Sequence, residues 1–352
     1  MGCEMRQIHT SKRWHVDTNG QALLDVKDLQ VHFRLDEGLL KAVDGVDFRV
    51  YPERTLGLVG ESGCGKSVTA QAIMRIVPSP GIVAGNIVLR KQDGSIIDLA
   101  GLDPHGADIR RVRGKEIAMI FQEPMKAFSP LHTIGNQIME GILLHNKVEK
   151  EQARAIALDM LSRVQISDPR QRIDDYPHQL SGGMRQRAMI AMALSCRPSL
   201  LIADEPSTAL DVTVQAQVLQ LMKDLQAEFG MALIFITHDM GVIAEMADQV
   251  AVMYLGRIVE FGDVDTIFHS PLHPYTVELL RSIPTLAREP RSRLSTIEGT
   301  VPVPMNLGTQ CGFHTRCRRR IEGRCDSQDP PLVEVTPGHS VRCFPDNIAE
   351  GK

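Results

Sequence analysis

The sequence predicts an α/β fold in which helices wrap a buried parallel sheet and a smaller antiparallel sheet lies beside it. Three observations carry that prediction. Short continuous apolar runs recur at Thr55 to Gly60 (TLGLVG), Glu116 to Phe121 (EIAMIF), Ser199 to Asp204 (SLLIAD) and Ala232 to Thr237 (ALIFIT), as in strands covered on both faces. Helical stretches separate them: KSVTAQAIMRIV after the first run, KEQARAIALDMLSRV in the middle and VTVQAQVLQLMKDLQAEFG after the third. Finally, Leu29 to Leu35 (LQVHFRL) and Val46 to Val50 (VDFRV) alternate apolar and polar residues, the pattern of half-buried antiparallel strands.

A chain of 352 residues holds one large domain with an appendage or two modest domains. Its 39 Lys and Arg stand against 43 Asp and Glu, a net charge of -4. No basic excess suits nucleic acid, so any phosphate binding has to be local. Neither the opening residues nor any later run has the apolar length of a secretion signal or a membrane span, and the expectation is a soluble, cytosolic chain. Residues 1–22 are polar and aperiodic and read as a loose tail carrying Cys3. From Ser270 the periodicity lapses into Pro, Arg and Cys, which divides the chain into a main domain at 23–270 and an extension at 271–352.

The stretch GLVGESGCGKSVTA holds Gly60, four residues (Glu61, Ser62, Gly63, Cys64), then Gly65, Lys66 and Ser67, between a buried strand and a helix. That is the setting of a phosphate-binding loop. Glycines let backbone N–H groups close around phosphate, the helix N-terminus adds a favourable dipole, Lys66 supplies a charge and the Ser67 hydroxyl can ligate magnesium. Further on, LLIADEPSTALD puts Asp204 and Glu205 at the end of a buried strand, where a parallel sheet presents its ligand-binding groups. Neighbouring residues there point in different directions, which suits two roles: one carboxylate for magnesium, the other for the attacking water.

A third stretch, HQLSGGMRQRAMIAMAL from His178 to Leu194, lies just upstream and resembles the signature segment of ABC-transporter ATPases. The order of motifs matches that family as well: GESGCGKS, Gln122 in IFQEP, LSGGM, LLIADEP, STALD ending in Asp211, and His238 in FITHD. The resemblance implies a P-loop ATPase of ABC type, with a mixed sheet core, an antiparallel β subdomain, a helical subdomain at roughly 123–190 and a C-terminal extension. It implies ATP and magnesium, with Phe33 stacking on adenine, Gln122 touching magnesium and the attacking water, Asp204 holding magnesium, Glu205 as catalytic base and His238 reading the γ-phosphate. Asp211 would lie in the loop between two active sites, although plain helix capping also explains it, and an inward strand position also explains Phe33. Ser181, Gly182 and Gly183 open a helix and offer a second anion site. In the family, that site grips nucleotide bound to another subunit.

Met184 ends the signature as it does in the peptide-import branch of the family, and SPLHPYTVELLRSIP from Ser270 to Pro284 resembles the start of that branch's C-terminal extension. The resemblance implies an ATPase subunit, peripheral on the cytoplasmic face of the inner membrane, that powers import of dipeptides or oligopeptides. Its partners would be a second, similar ATPase in a heterodimer, two membrane permeases and, through them, an extracytoplasmic peptide-binding protein, with no nucleic acid. Another cargo of the branch (nickel, an opine, an antimicrobial peptide) or a soluble ABC ATPase outside transport are the alternatives. Cys311, Cys317, Cys325 and Cys343 resemble a four-cysteine element that holds a [4Fe-4S] cluster in some members. From the residues alone, an iron–sulfur cluster, structural zinc and unligated thiols all remain open. Arg316 to Arg320 reads either as charge compensation for such a cluster or as a solvated face. Cys64 and Cys196 read as small packing residues, and His314 and His339 as surface residues.

Overall fold

Each of the four apolar runs contains a strand that is buried along its whole length. The computed structural model describes residues 21–123, 127–207, 211–283 and 297–348. Cys3 and nearly all of the expected tail lie outside the described residues, as do Pro284 and the middle of STALD.

The main sheet has eight strands in the order β11-β12-β10-β9-β3-β8-β7-β6. They are β3 (Thr55–Val59), β6 (Ile117–Ile120), β7 (Leu200–Asp204), β8 (Ala232–Thr237), β9 (Gln249–Tyr254), β10 (Arg257–Asp263), β11 (Val333–Thr336) and β12 (His339–Val341). The stretch from β9 through β3, β8 and β7 to β6 is parallel, and β10, β12 and β11 are added antiparallel at one edge. Continuous apolar sequence suits the parallel strands because helices cover both faces.

The second sheet, ordered β2-β1-β4-β5, is antiparallel throughout and is built from β1 (Leu24–Leu35), β2 (Gly38–Val50), β4 (Gly81–Arg90) and β5 (Ile96–Asp98). In β1 the buried residues are Leu24 and Val26, then Leu29 and Val31. The alternation skips a beat at Asp28, which has a φ of 46° at a register shift against both neighbouring strands. That bulge keeps one face apolar on either side of the skip.

The helices follow from pattern and capping. Helix Val212–Phe229 buries Val218, Leu219, Leu221, Met222 and Leu225 on one stripe. Asp211 caps its start by accepting from the Val214 N–H at 3.0 Å, worth about 1 kcal/mol, and Gly230 ends it at a φ of 64°. Helices Ile134–His145, Lys150–Arg163, Pro169–Arg172 and Gly182–Leu194 lie between β6 and β7.

Beyond Ser270 the chain packs back onto the sheets. Its strands β11 and β12 continue the main sheet past β10, while Met305 bridges Leu40 of β2 and the Lys41 N–H donates to the Pro304 carbonyl. Glu260, fully buried on β10, accepts from the Leu272 and His273 N–H groups at 2.7 and 2.9 Å and contacts the His339 imidazole at 2.8 Å. His339 is therefore a core residue and not the surface residue that the sequence suggested: its partner's carboxylate makes burial tolerable. Phe313 is 2% exposed and packs against Tyr254, Tyr275 and His273, with ring centroids 5.2, 5.4 and 5.8 Å away. Arg257 pairs with both Asp44 and Asp329, linking the two sheets to the extension.

Phe313→Ala should cost roughly 3–5 kcal/mol, as emptying an aromatic core position does. A urea midpoint shifted down with an unchanged slope would report it; an unshifted midpoint would mean that Phe313 does not join this core.

Candidate functional site

The phosphate loop begins where β3 ends. Gly65 precedes helix Lys66–Ile73, and no side chain caps that helix. Its first-turn N–H groups are therefore available to an anion, with the helix dipole behind them. Two glycines do different work. At Gly65 (φ 99°) an added Cβ would lie 2.3 Å from the Ala42 carbonyl oxygen, so the loop is wedged against β2. At Gly63 (φ 84°) it would meet nothing within 4 Å: this side of the loop opens outward. Lys66 is buried and donates from Nζ to the carbonyls of Gly60 and Glu61 at 2.7 and 2.9 Å, leaving its third N–H for a phosphate. Burial lowers its pKa, while Cys64, Glu205 and Asp204 act the other way. Cys64 is fully buried, with its sulfur 3.9 Å from the Tyr275 hydroxyl, so it packs and offers only its backbone to the loop.

Facing the loop is the end of β7. Ser67 donates from Oγ to Asp204 Oδ1 at 3.0 Å. Burial raises the Asp204 pKa, the Ser67 hydrogen bond opposes that shift and Glu205 adds to it. A buried carboxylate beside a hydroxyl is a pair of hard oxygen donors that fits magnesium, an ion usually held by one or two carboxylates plus substrate phosphates.

Glu205 has left-handed backbone, with a φ of 47°, a conformation that costs a non-glycine residue about 1–3 kcal/mol and tends to occur at functional sites. Its carboxylate is held on both sides. Gln122 Nε2 donates to Oε2 at 2.9 Å, and His238 Nδ1 lies 3.1 Å from Oε1. The three expected catalytic residues thus meet at one carboxylate, although 83 positions separate Gln122 from Glu205 and 33 separate Glu205 from His238.

The remaining expected residues are elsewhere. Ser181 caps the 13-residue helix Gly182–Leu194 by accepting from the Met184 N–H at 3.3 Å, and Ser181 and Gly182 are exposed. Among the described residues, neither Ser181, Gly182 and Gly183 nor Asp211 hydrogen-bonds to the phosphate loop of the same chain. Phe33 is half-buried on β1, packed on the core and against Gly81. Two residues that reading the sequence missed do touch the loop. Tyr275 accepts from the Glu61 N–H at 2.8 Å, and Arg316 donates to both Glu61 carboxylate oxygens at 2.6 and 3.0 Å. Arg316 is thus no part of a solvated face; only its place in a basic run marked it in the sequence.

The four C-terminal cysteines form no disulfide, and Cys325, Cys343 and Cys317 all act on the Cys311 thiol. Burial is the main cause that pushes the Cys311 thiol up to about 12 and Cys343 up to about 11, and it raises Cys317 as well. Among the described residues, no group of three or more His, Cys, Asp or Glu is placed to hold a metal ion. The expected [4Fe-4S] cluster and zinc thus find no support in the arrangement of the described residues. Cys196 is buried against the Gly141 carbonyl, a packing residue as expected.

Two outcomes follow from this geometry. Gly65→Ala should destabilise the folded chain and abolish nucleotide binding, whereas Gly63→Ala should cost only about 1–2 kcal/mol of backbone strain, as thermal unfolding with and without ATP would report. For Cys311, a shift from 9.0 to about 12 lowers the thiolate fraction at neutral pH by roughly a thousandfold, so alkylation should be slow until the chain unfolds. The folded state keeps a proton that the unfolded thiol releases, so this contribution to stability holds below about pH 9 and is lost as the pH climbs towards 12. Rapid labelling at pH 7.5 would contradict it.

Comparison with known proteins accords with these observations. The ABC transporter family matches residues 43–208, and the oligopeptide/dipeptide transporter C-terminal region matches residues 259–325. The chain is 48% identical to the oligopeptide transport ATP-binding protein AppD of Bacillus subtilis, over 92% of this chain and 96% of that one. It is 47% identical to OppD, an oligopeptide transport ATP-binding protein of the same organism, over 92% and 88%. Among solved structures, the dimeric bacterial ABC transporter cassette MJ0796 superposes with a TM-score of 0.59 at 24% identity, covering 68% of this chain and 98% of its own, a likeness of fold alone. CbiO1 of Clostridium perfringens, part of the ABC transporter complex cbiONQ, gives 0.56 at 25% identity, with 71% and 91% covered. With its phosphate loop, its paired strand-end carboxylates and this C-terminal region, the chain belongs to the ATP-binding subunits of the ABC transporter family, in the oligopeptide/dipeptide transporter group.

Proposed function

We propose that this chain hydrolyses ATP to drive import of dipeptides or oligopeptides through a membrane ABC transporter. The observation that carries the catalytic part is the carboxylate of Glu205, fixed between Gln122 and His238 one residue beyond the Asp204–Ser67 pair. The names of AppD and OppD support the peptide cargo.

Magnesium, when bound, would neutralise charge on the phosphates, with Ser67 and Asp204 as its holders. The chain's own residues do the rest. The loop from Gly60 to Ser67 binds phosphate through backbone N–H groups and the Lys66 ammonium. Glu205 accepts a hydrogen bond from the attacking water and orients it, and Gln122 and His238 keep the carboxylate from rotating away. His238 is 60% exposed on its side chain, so it can also reach a group arriving from outside the chain. Phe33 is assigned to adenine. The four cysteines enter this reading as free thiols, Cys325 and Cys343 buried and Cys311 and Cys317 half-buried, and no step of the reaction runs through them.

The exposed start of helix Gly182–Leu194 makes no hydrogen bond to this chain's own loop among the described residues, and we assign it to nucleotide on a second, similar ATPase subunit, with Asp211 at the same junction. Two permeases, and through them a peptide-binding protein, complete the assembly. No helix among the described residues is long and apolar enough to cross a membrane, and the chain is assigned to the cytoplasmic face through its partners.

Glu205→Gln keeps the side chain's size and removes its charge. It should slow phosphate release by the assembled transporter about 100- to 10,000-fold, the range of general-base catalysis, with ATP binding retained. Uptake of a labelled peptide into vesicles should fall in parallel. Turnover that survives the substitution would sink the catalytic assignment, and hydrolysis without peptide uptake by the wild type would sink the cargo.

A further inference from the structure

We propose that Arg316, from the C-terminal region, is a positioning residue for nucleotide: it fixes the phosphate loop by clamping Glu61. This rests on reading residues 60–67 as the ATP loop. Nothing in the loop's own sequence requires a partner 255 positions away, yet every polar group of Glu61 is engaged. Its carboxylate takes both guanidinium bonds from Arg316, its N–H donates to the Tyr275 hydroxyl at 2.8 Å and its carbonyl accepts from Lys66 at 2.9 Å. The Glu61 N–H is therefore spent on a tyrosine and not on phosphate. The carbonyl that steadies the phosphate-binding lysine is set by residues outside the loop.

Arg316 is itself immobilised. Its side chain is only 4% exposed, Nε donates to the Glu298 carbonyl at 2.9 Å, and one terminal nitrogen donates to the Gly299 carbonyl at 3.2 Å. The guanidinium carbon lies 5.8 Å from the Tyr254 ring centroid and 6.0 Å from that of Phe313. An exposed ion pair is worth little because two long side chains must be ordered to make it. Here the guanidinium is ordered already, and a bidentate pair between a planar fork and a carboxylate fixes direction as well as distance. The five residues between Cys311 and Cys317 thus carry both Phe313, which anchors the segment, and Arg316, which reaches the loop.

Full-length chain is titrated with a fluorescent ATP analogue, and KM and kcat are measured in the assembled transporter. Arg316→Met should weaken nucleotide binding and raise KM by about tenfold, equivalent to about 1.4 kcal/mol, with kcat at saturating ATP changed far less. Arg316→Lys should recover only part of the loss, since an ammonium cannot make the two-bond contact. Glu61→Gln, an isosteric change in the half-buried loop, should weaken binding in the same sense. The double variant Arg316→Met with Glu61→Gln should lose no more than the worse single one.

Lys66→Ala separates the two readings. If it abolishes binding while Glu61→Gln and Arg316→Lys bind as the wild type does, the clamp is refuted and the ATP loop stands. If Lys66→Ala binds normally, the loop assignment itself fails. Additive losses in the double variant would also overturn the clamp, and they can be read even if Arg316→Met alone folds poorly, because Arg316→Lys with Glu61→Gln gives a second cycle.

Discussion

Parallel pairing of β6, β7, β8 and β3 aligns four strand ends in one row: Ile120 beside Ala203, Asp204 beside Ile236, and Val59 beside Thr237. Each strand then releases its chain at the same edge of the sheet. Gln122, Glu205, His238 and the phosphate loop are what the chain places immediately beyond those ends. Ladder hydrogen bonds fix the register, and burial on both faces makes a slip costly, because a one-residue shift would turn every side chain over. The positions of the proposed catalytic groups thus follow from backbone pairing in a part of the chain that has no chemistry of its own.

Electrostatics at that edge is arranged around a few buried charges. Lys66, Asp204 and Glu205 influence one another, and burial pushes the lysine and the aspartate towards their neutral forms. Each is kept useful by specific contacts: carbonyl oxygens for the ammonium, a hydroxyl for Asp204, and an amide and an imidazole for Glu205. Groups held this way need little rearrangement when charge develops nearby, which is the source of catalysis by preorganisation.

Much of this was legible in the sequence. Continuous apolar runs gave the parallel strands, alternation gave β1 and part of β2, and glycine spacing gave the phosphate loop. Pairings between distant, short elements were not legible. β11 and β12 span only Val333–Thr336 and His339–Val341, too short for a periodic signal. His339 looked like surface because an isolated polar residue carries no mark of the carboxylate that will meet it, here Glu260. Arg316 looked like one charge in a basic run, since its partner lies at the opposite end of the chain. The cysteines are another case: spacing shows that thiols can converge, while how deeply each one is buried depends on the fold.

The sheet also decides what can be separated. Sequence composition changes near Ser270, but the outer edge of β10 is zipped to β12, and the carboxylate of Glu260, which precedes that change, is partnered by His273 and His339 from beyond it. A chain cut there would bare a row of unpaired backbone amides and carbonyls along β10, a template on which other chains could stack, and would strand a negative charge in the interior. The C-terminal segment therefore serves as a lid on the sheet's raw side, and trimming it away would leave a sticky fragment.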